Sequence, residues 1–268
     1  MAIEIEQGES LVDNREGSPI TYNNELKRVD LADRRLYNLQ GTDIYYPSVT
    51  TILSSLPVDP MFLRWLQEVG KEAEFIRNRA AREGSQVHEG IEKLLAGEQL
   101  DWMDNFGNAK YSSAVWKMLL RFQDFHNELK PETLASELFL YSKEHEYAGT
   151  TDALFKVGNE TWLIDFKSSN HLHTLSYDAQ LAAYAVALEE RKGIKPDRCG
   201  ILWLKSGTRK KSINLDKGIC QGEGWQINFV DDIDQAFKVF KLAYEMYKIT
   251  HPNELKPDTK EYPTTIKL

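Results

Sequence analysis

Two apolar runs joined by a glycine–asparagine pair constrain the fold of this 268-residue chain more than any other feature. Residues 147–157 and 161–166 carry many aromatic and β-branched side chains, and Gly158 and Asn159 separate the two runs. A pair of this kind between apolar runs is typical of a β-hairpin. An alanine-rich stretch at 176–191 follows and favours a helix. The sequence therefore predicts a hairpin followed by a helix, as in a mixed α/β fold.

The rest of the chain predicts helices before the hairpin and further strands beside it. Apolar residues recur at helical spacing through 60–96 and 111–129, and the pair at 84–85 is expected to end one helix and cap the next. The remaining predicted elements are strands at 133–142, 198–204 and 225–229 and a final helix at 231–250.

These elements predict one α/β domain with two flanking segments. Its parts are an N-terminal extended segment at 1–45, a domain at 46–250 and a C-terminal tail at 251–268. Within the domain, the helical part covers about 48–130, the sheet core about 133–230, and the final helix 231–250.

Two carboxylates and a lysine lie where the predicted strands end. Asp165 and Lys167 are two residues apart, so on a strand their side chains point to one face. Asp152 ends the preceding run and can face Asp165 across the hairpin. Two acids beside a lysine suit a hard divalent cation and an anionic oxygen, which is the chemistry of phosphodiester cleavage. The alternative is a strand-end acid in solvent or an ion pair without chemistry.

Other polar residues are candidates for the same site. Gln180 and Tyr184 are four apart, share a helix face and could fix Lys167 by hydrogen bonds, or they reflect simple amphipathicity. His88 offers an imidazole nitrogen that favours manganese, although most mid-helix histidines are structural. Glu137 is either a third acid or a solvated strand residue. Candidate phosphate contacts are Ser168, Ser169, Arg79 and Arg82.

Charge and cysteine content narrow the class of protein. The formal net charge of −8 argues against a nonspecific nucleic-acid coat protein, which would be basic. Two cysteines, Cys199 and Cys220, cannot build a disulfide framework or a four-thiolate iron–sulfur cluster. No apolar run approaches the roughly 18 residues of a membrane span, and the acidic residues 1–10 do not resemble a signal peptide. We expect a cytoplasmic protein without membrane contact.

Four motifs resemble, in order, those of the PD-(D/E)xK nuclease superfamily in its RecB-like branch. They are G-x-x-x-H at 84–88, G-x-x-D at 149–152, D-x-K-[ST] at 165–168 and Q-x-x-x-Y at 180–184. The segment at 47–53 also resembles the opening of phage exonucleases and of the mitochondrial genome-maintenance exonuclease. The resemblance covers about residues 46–205.

The resemblance implies a restriction-endonuclease-like core, which is a central mixed β-sheet flanked by helices, with an N-terminal helical part. The implied ligands of Mg²⁺ or Mn²⁺ are His88, Asp152, Asp165 and the main-chain carbonyl of Phe166. Lys167 would be the catalytic lysine, and Gln180 and Tyr184 would orient the site. Ser48 and Thr50 of the segment at 47–53 would contact DNA.

The resemblance also implies which cofactors to expect. Many RecB-like relatives hold an iron–sulfur cluster on four cysteines, and this chain has two, so we expect no cluster. The sequence contains no G-x-x-x-x-G-K-[ST] motif, so we expect a nuclease that works without ATP.

Together these observations predict a metal-dependent DNA exonuclease of phage or bacterial origin, acting in recombination, replication or repair. A helical arch at 60–130 would enclose a DNA end, as relatives suggest. A single-strand DNA-binding or annealing protein is an open candidate partner, and no motif points to it. The alternatives are a structure-specific endonuclease or junction resolvase, a catalytically inactive nuclease fold that binds DNA, and an RNA-directed nuclease.

Overall fold

The structure, a computed structural model, describes residues 3–5, 25–31 and 34–252. Strands of a small sheet come first: β1 (Ile3–Ile5), β2 (Leu26–Asp30), β3 (Arg35–Leu39) and β4 (Tyr45–Pro47). The next helices are α1 (Val49–Leu53), α2 (Pro60–Val69), α3 (Ala73–Leu95) and α4 (Ser113–Leu129). The main sheet and its helices follow as β5 (Glu132–Ser142), β6 (Tyr147–Val157), β7 (Glu160–Lys167), α5 (Thr174–Lys192), β8 (Arg198–Trp203), β9 (Ser212–Asn214), β10 (Ile219–Gly222), β11 (Trp225–Phe229) and α6 (Ile233–Thr250).

The main sheet is mixed and has the strand order β5-β6-β7-β8-β11-β10-β9. The predicted hairpin is confirmed as β6 and β7, and Gly158 in their turn has a φ of 60°, which glycine adopts without strain. Strands β7 and β8 pair in parallel because α5 carries the chain back across the sheet, whereas the other pairs are antiparallel. The predicted α/β class, a mixed sheet flanked by helices, is confirmed.

Alternate residues of β7 divide the core between the two faces of the main sheet. Leu163 packs with residues of α1, α5 and α6, whereas Trp162 and Ile164 pack with residues of α3 and α4. This period of two is the geometry of a strand that is buried on both faces. Each fully buried side chain of this size stabilises the fold by about 1.5–3 kcal/mol. The apolar sequence of β7 thus fixes it at the centre of the sandwich.

The small sheet is antiparallel, in the order β1-β2-β3-β4, and lies against β6. Ser48, directly after β4, forms a parallel bridge to Ala148 of β6. The buried Tyr37 hydroxyl is 2.9 Å from the Thr150 hydroxyl. Within the described residues before 46, the expected extended structure therefore belongs to a sheet that supports the start of β6.

One predicted helix boundary is wrong. Helix α3 runs without interruption through the pair at 84–85 that was expected to break it. The Ser85 hydroxyl donates to the Ala81 carbonyl at 3.1 Å and so stays inside the helix. Gly84 serves close packing instead, since a Cβ there would lie 3.1 Å from Ser168 Oγ. The actual break is at Gly70, which has a φ of 60°.

Three further observations complete the comparison with the predicted elements. The short strands β9 and β10 were not predicted, because runs of three and four residues carry too little periodicity. The predicted tail lies outside the described residues from 253 onward. Among the described helices, none combines the length and apolar character that crossing a membrane requires.

Candidate active site

The candidate site lies where β6 and β7 separate. Their paired register ends at Ala153 and Ile164, so Asp152 and Asp165 are the first residues of the fork. The Phe166 amide donates to Asp152 Oδ2 at 2.6 Å rather than to a strand partner. Asp152 is 9% exposed and Asp165 is 2% exposed. The hairpin therefore brings two buried carboxylates together, as the sequence spacing predicts.

Helix α5 covers the Asp165 side of the fork with polar groups. The Lys167 ammonium forms an ion pair with Asp165 Oδ2. Gln180 Nε2 donates to Asp165 Oδ1 at 3.0 Å and lies 3.2 Å from Tyr184 Oη, and its Oε1 is 3.5 Å from Lys167 Nζ. The Gln180 amide thus holds the acid and the lysine of the D-x-K strand in one arrangement.

Three ligand-type side chains meet on the Asp152 side of the fork. His88 Nδ1 is 3.3 Å from Asp152 Oδ1, and one ligand atom each from His88, Glu137 and Asp152 lie within 4.8 Å of one another. Asp165 is not in this group, and its two oxygens contact Lys167 and Gln180. Two carboxylates and an imidazole form a donor set that fits Mg²⁺ or Mn²⁺.

Glu137 reaches this group through an unusual backbone conformation. It lies on β5 between the pairs Ser136–Ala153 and Leu138–Thr151, which places it opposite Asp152. Its φ of 48° is left-handed, which costs a non-glycine residue about 1–3 kcal/mol. Strain of this kind concentrates at functional sites. The third acid that we considered from the sequence therefore lies in the site, not in solvent.

The position of Phe166 in β7 determines the direction of its carbonyl, which the resemblance implies as a metal ligand. The Lys167 carbonyl accepts a hydrogen bond from the Leu204 amide, on the β8 side. Because successive residues of a strand alternate their polar groups between its two edges, the Phe166 carbonyl points to the other edge. The Phe166 amide already points there, to Asp152. The carbonyl thus faces the side on which the three ligand-type side chains meet.

Burial and neighbouring charges shift the pKa values of the acids at the fork. Burial raises the pKa of Glu137 to about 8, and the Asp152 carboxylate adds to this effect. Burial and Asp152 also raise the pKa of Asp165 to about 6, against the opposing effect of Lys167. Burial raises the pKa of Asp152 too, but His88, Lys167 and the Phe166 amide outweigh it and lower the pKa below its usual value.

The pKa values of the two cationic groups, His88 and Lys167, are also raised. Burial lowers the pKa of His88, but the neighbouring Asp152 carboxylate outweighs burial and raises the pKa to about 9. Burial likewise lowers the pKa of Lys167, and Asp165 and Asp152 together raise it above its usual value. Lys167 is therefore an ammonium at neutral pH, whereas His88 and Glu137 must lose protons to bind a cation.

The two predicted DNA contacts in the segment at 47–53 differ in exposure. Ser48 is 2% exposed, and its hydroxyl accepts from the Thr51 amide at 3.0 Å as the N-cap of α1. Thr50 is exposed, and its hydroxyl lies 3.0 Å from that of Ser48. Only Thr50 of this pair presents a side chain to solvent.

The other predicted phosphate contacts also differ in their exposure and surroundings. Arg79 and Arg82 are exposed on α3. They precede His88 by nine and six residues, which at about 100° per residue puts them on other sides of the helix. Ser168 lies against Gly84, and the Ser169 hydroxyl donates to the His171 carbonyl at 2.7 Å. The structure thus does not bring these four side chains to the fork as one group.

Two residues near the site were missed from the sequence. Tyr177 lies one helical turn before Gln180, and its ring centre is 4.9 Å from Lys167 Nζ. Its helical spacing was a usable signal, since residues three apart share a face. Tyr37 contacts Thr150 across 113 residues, and nothing in the local sequence points to that contact.

Comparison with known proteins agrees with this geometry. The profile described as PD-(D/E)XK nuclease superfamily matches residues 62–259, which is well over half of the chain. No curated protein matches the chain. Members of this superfamily are nucleases that cleave phosphodiester bonds and use divalent metals. The chain belongs to the PD-(D/E)XK nuclease superfamily.

Proposed function

We propose that the chain is a metal-dependent DNA exonuclease of the RecB-like branch, which hydrolyses phosphodiester bonds from DNA ends. The observation that carries this proposal is the convergence of Asp152, Asp165 and Lys167 at one fork, with His88 beside them. The order of the four sequence motifs supports the branch. The proposed setting is recombination, replication or repair in a bacterial or phage-infected cell.

In this proposal a divalent cation, Mg²⁺ or Mn²⁺, is held on the Asp152 side of the fork. Asp152, Glu137 and His88 would hold it, together with the Phe166 carbonyl. The cation supplies Lewis acidity, which lowers the pKa of water and offsets negative charge on the phosphate. One ligand atom from each of the three side chains lies within 4.8 Å of the other two, which supports this placement.

Lys167 supplies a fixed positive charge to the scissile phosphate. Charge that develops on a phosphate oxygen in the transition state is stabilised most by donors that are already oriented. Asp165 and Gln180 orient the Lys167 ammonium, and the carboxylates that surround it keep it protonated. Asp165 thus acts through the lysine in this arrangement, and Gln180 fixes both.

The preference for DNA ends rests on the arm formed by α2 and the first half of α3. No side chain of the described helix α2 is buried. The rings of Phe62 and Trp65 stack with their centroids 5.6 Å apart. Arg77 lies 5.8 Å from the Phe62 ring centre, and eleven residues place it on the same side of α3 as His88. An exposed arm with aromatic and basic groups suits enclosure of a strand end.

The test is digestion of end-labelled linear DNA, covalently closed circular DNA and labelled RNA, each with Mg²⁺, Mn²⁺ or EDTA. The proposal expects metal-dependent loss of linear DNA alone. Cutting of the closed circle would replace it with an endonuclease or resolvase, and cutting of RNA alone with an RNA-directed nuclease. Binding of DNA without cleavage of any substrate would leave a catalytically inactive module. A single-strand DNA-binding protein added to the linear substrate tests the proposed partner.

A further inference from the structure

We propose that Tyr177 is a positioning residue that holds the Lys167 ammonium in its reactive orientation, an inference that rests on the proposed nuclease function. The centre of the Tyr177 ring lies 4.9 Å from Lys167 Nζ, within the range of a cation–π contact. The Lys167 side chain is 20% exposed, so this contact is partly desolvated and correspondingly stronger.

The Tyr177 ring adds a third contact to two polar contacts of the ammonium. Asp165 and Gln180 fix Lys167 through an ion pair and a polar contact at 3.5 Å. The lysine side chain has a flexible four-carbon stem. With two partners alone, it can still adopt rotamers in which the ammonium points away from the phosphate. The Tyr177 ring presents a negatively polarised face that favours one of those rotamers. Three contacts together define the ammonium position.

Tyr177 is itself held from the base of the α2 arm. His173, the N-cap residue of α5 and four residues before Tyr177, packs edge-on to the Tyr177 ring with centroids 6.1 Å apart. His173 Nδ1 is 3.1 Å from Asp59 Oδ2, and Asp59 Oδ1 accepts from the Met61 amide at 2.7 Å as the N-cap of α2. A continuous series of contacts thus joins the first turn of α2 to Lys167.

Through this series of contacts, a movement of the arm can change the position of the Lys167 ammonium. Helix α2, all of which is described, buries no side chain, and the Asp59–His173 pair links its N-terminal end to the start of α5. A substrate that moves the arm shifts Asp59, then His173 and the ring that faces Lys167. The proposed consequence is that Lys167 is best oriented when the arm is in place on DNA.

The experiment compares Tyr177→Phe and Tyr177→Leu with the wild-type protein on linear DNA in Mg²⁺. Phenylalanine keeps the ring face, so the saturating rate should stay within about twofold, whereas leucine should lower it about tenfold at unchanged KM. Leu175→Ala, at a neighbouring exposed position of α5, is the control and should leave the rate unchanged. Circular dichroism and thermal melting establish that each variant is folded.

A second variant tests the series from its far end. Asp59→Ser keeps an N-cap oxygen for α2 but is too short to reach His173, so it should lower the saturating rate by about two- to fivefold. If the wild-type protein cleaves DNA and Tyr177→Leu cleaves it at the same rate, this inference is overturned and the proposed function is not. A rise in KM with Tyr177→Leu at unchanged saturating rate would also overturn it, because that is a DNA contact. A wild-type protein that cleaves nothing would instead overturn the proposed function.

Discussion

Gly149 of β6 lies directly beneath the ring of Tyr184 of α5. A Cβ at position 149 would lie 2.5 Å from Tyr184 Cε1 and 3.2 Å from Tyr184 Oη. The absence of a side chain therefore lets α5 approach the strand that carries Asp152. The same approach brings Gln180, which lies 3.2 Å from Tyr184 Oη, to the Asp165 carboxylate. The glycine of the G-x-x-D motif is thus a packing requirement of the Q-x-x-x-Y helix.

Gly149→Ala should therefore weaken both the fold and the site. The added methyl group displaces a buried ring, which costs about 1–3 kcal/mol of unfolding free energy. Displacement of Tyr184 also disturbs Gln180, so nuclease activity should fall more than the loss of folded protein explains. Urea unfolding and activity on the folded fraction measure the two effects. Gly207→Ala is the matched control, because a Cβ at 207 meets nothing within 4 Å, and equal effects of both substitutions would contradict the account.

Glu137→Gly should stabilise the fold while weakening metal binding. Glycine adopts the φ of 48° at this position without strain, and the change also removes a half-buried carboxylate that lies close to Asp152. We expect a gain of about 1 kcal/mol in unfolding free energy without metal, and at least a tenfold loss of Mn²⁺ affinity. Chemical unfolding and titration calorimetry measure these opposite changes.

Lys130→Gly separates the relief of strain from the loss of a ligand. Lys130 has nearly the same φ, 46°, but it is exposed at the end of α4. This variant should gain similar stability and keep wild-type Mn²⁺ affinity. Unchanged metal affinity in Glu137→Gly would remove Glu137 from the proposed ligand set.

Metal affinity should increase with pH. In the metal-free protein, the pKa of His88 is raised to about 9 and that of Glu137 to about 8, so both are protonated at neutral pH. Each must lose its proton to bind a cation, so affinity rises up to about tenfold per pH unit for each proton between about pH 6 and pH 9. Calorimetric titration with Mn²⁺ across that range measures the slope. The slope should decrease in His88→Asn, and an affinity independent of pH would contradict this ligand set.

Local periodicity was sufficient to predict much of the site. Asp165 and Lys167 share a strand face, and Gln180 and Tyr184 share a helix face, so spacing alone brought each pair together. The hairpin turn then placed Asp152 beside Asp165, and the two carboxylates met because the strands separate at that point.

Features that depend on tertiary structure were not predictable in this way. The contribution of Glu137 arises from a left-handed residue in a strand, which its composition does not signal. The predicted helix break at 84–85 was wrong because Gly84 lies inside α3, where it packs closely against Ser168 instead of forming a turn. The contact between Tyr37 and Thr150 joins two sheets that are distant in sequence.

The central claim is that the fork of β6 and β7 is a nuclease site whose ammonium is Lys167. The most direct measurement is the rate of Mg²⁺-dependent cleavage of end-labelled linear DNA by Lys167→Ala, compared with Lys195→Ala at an exposed position. The account predicts a loss of at least about a thousandfold for Lys167→Ala, with DNA binding and the fold retained, and wild-type activity for Lys195→Ala. Cleavage by Lys167→Ala at the wild-type rate would contradict it.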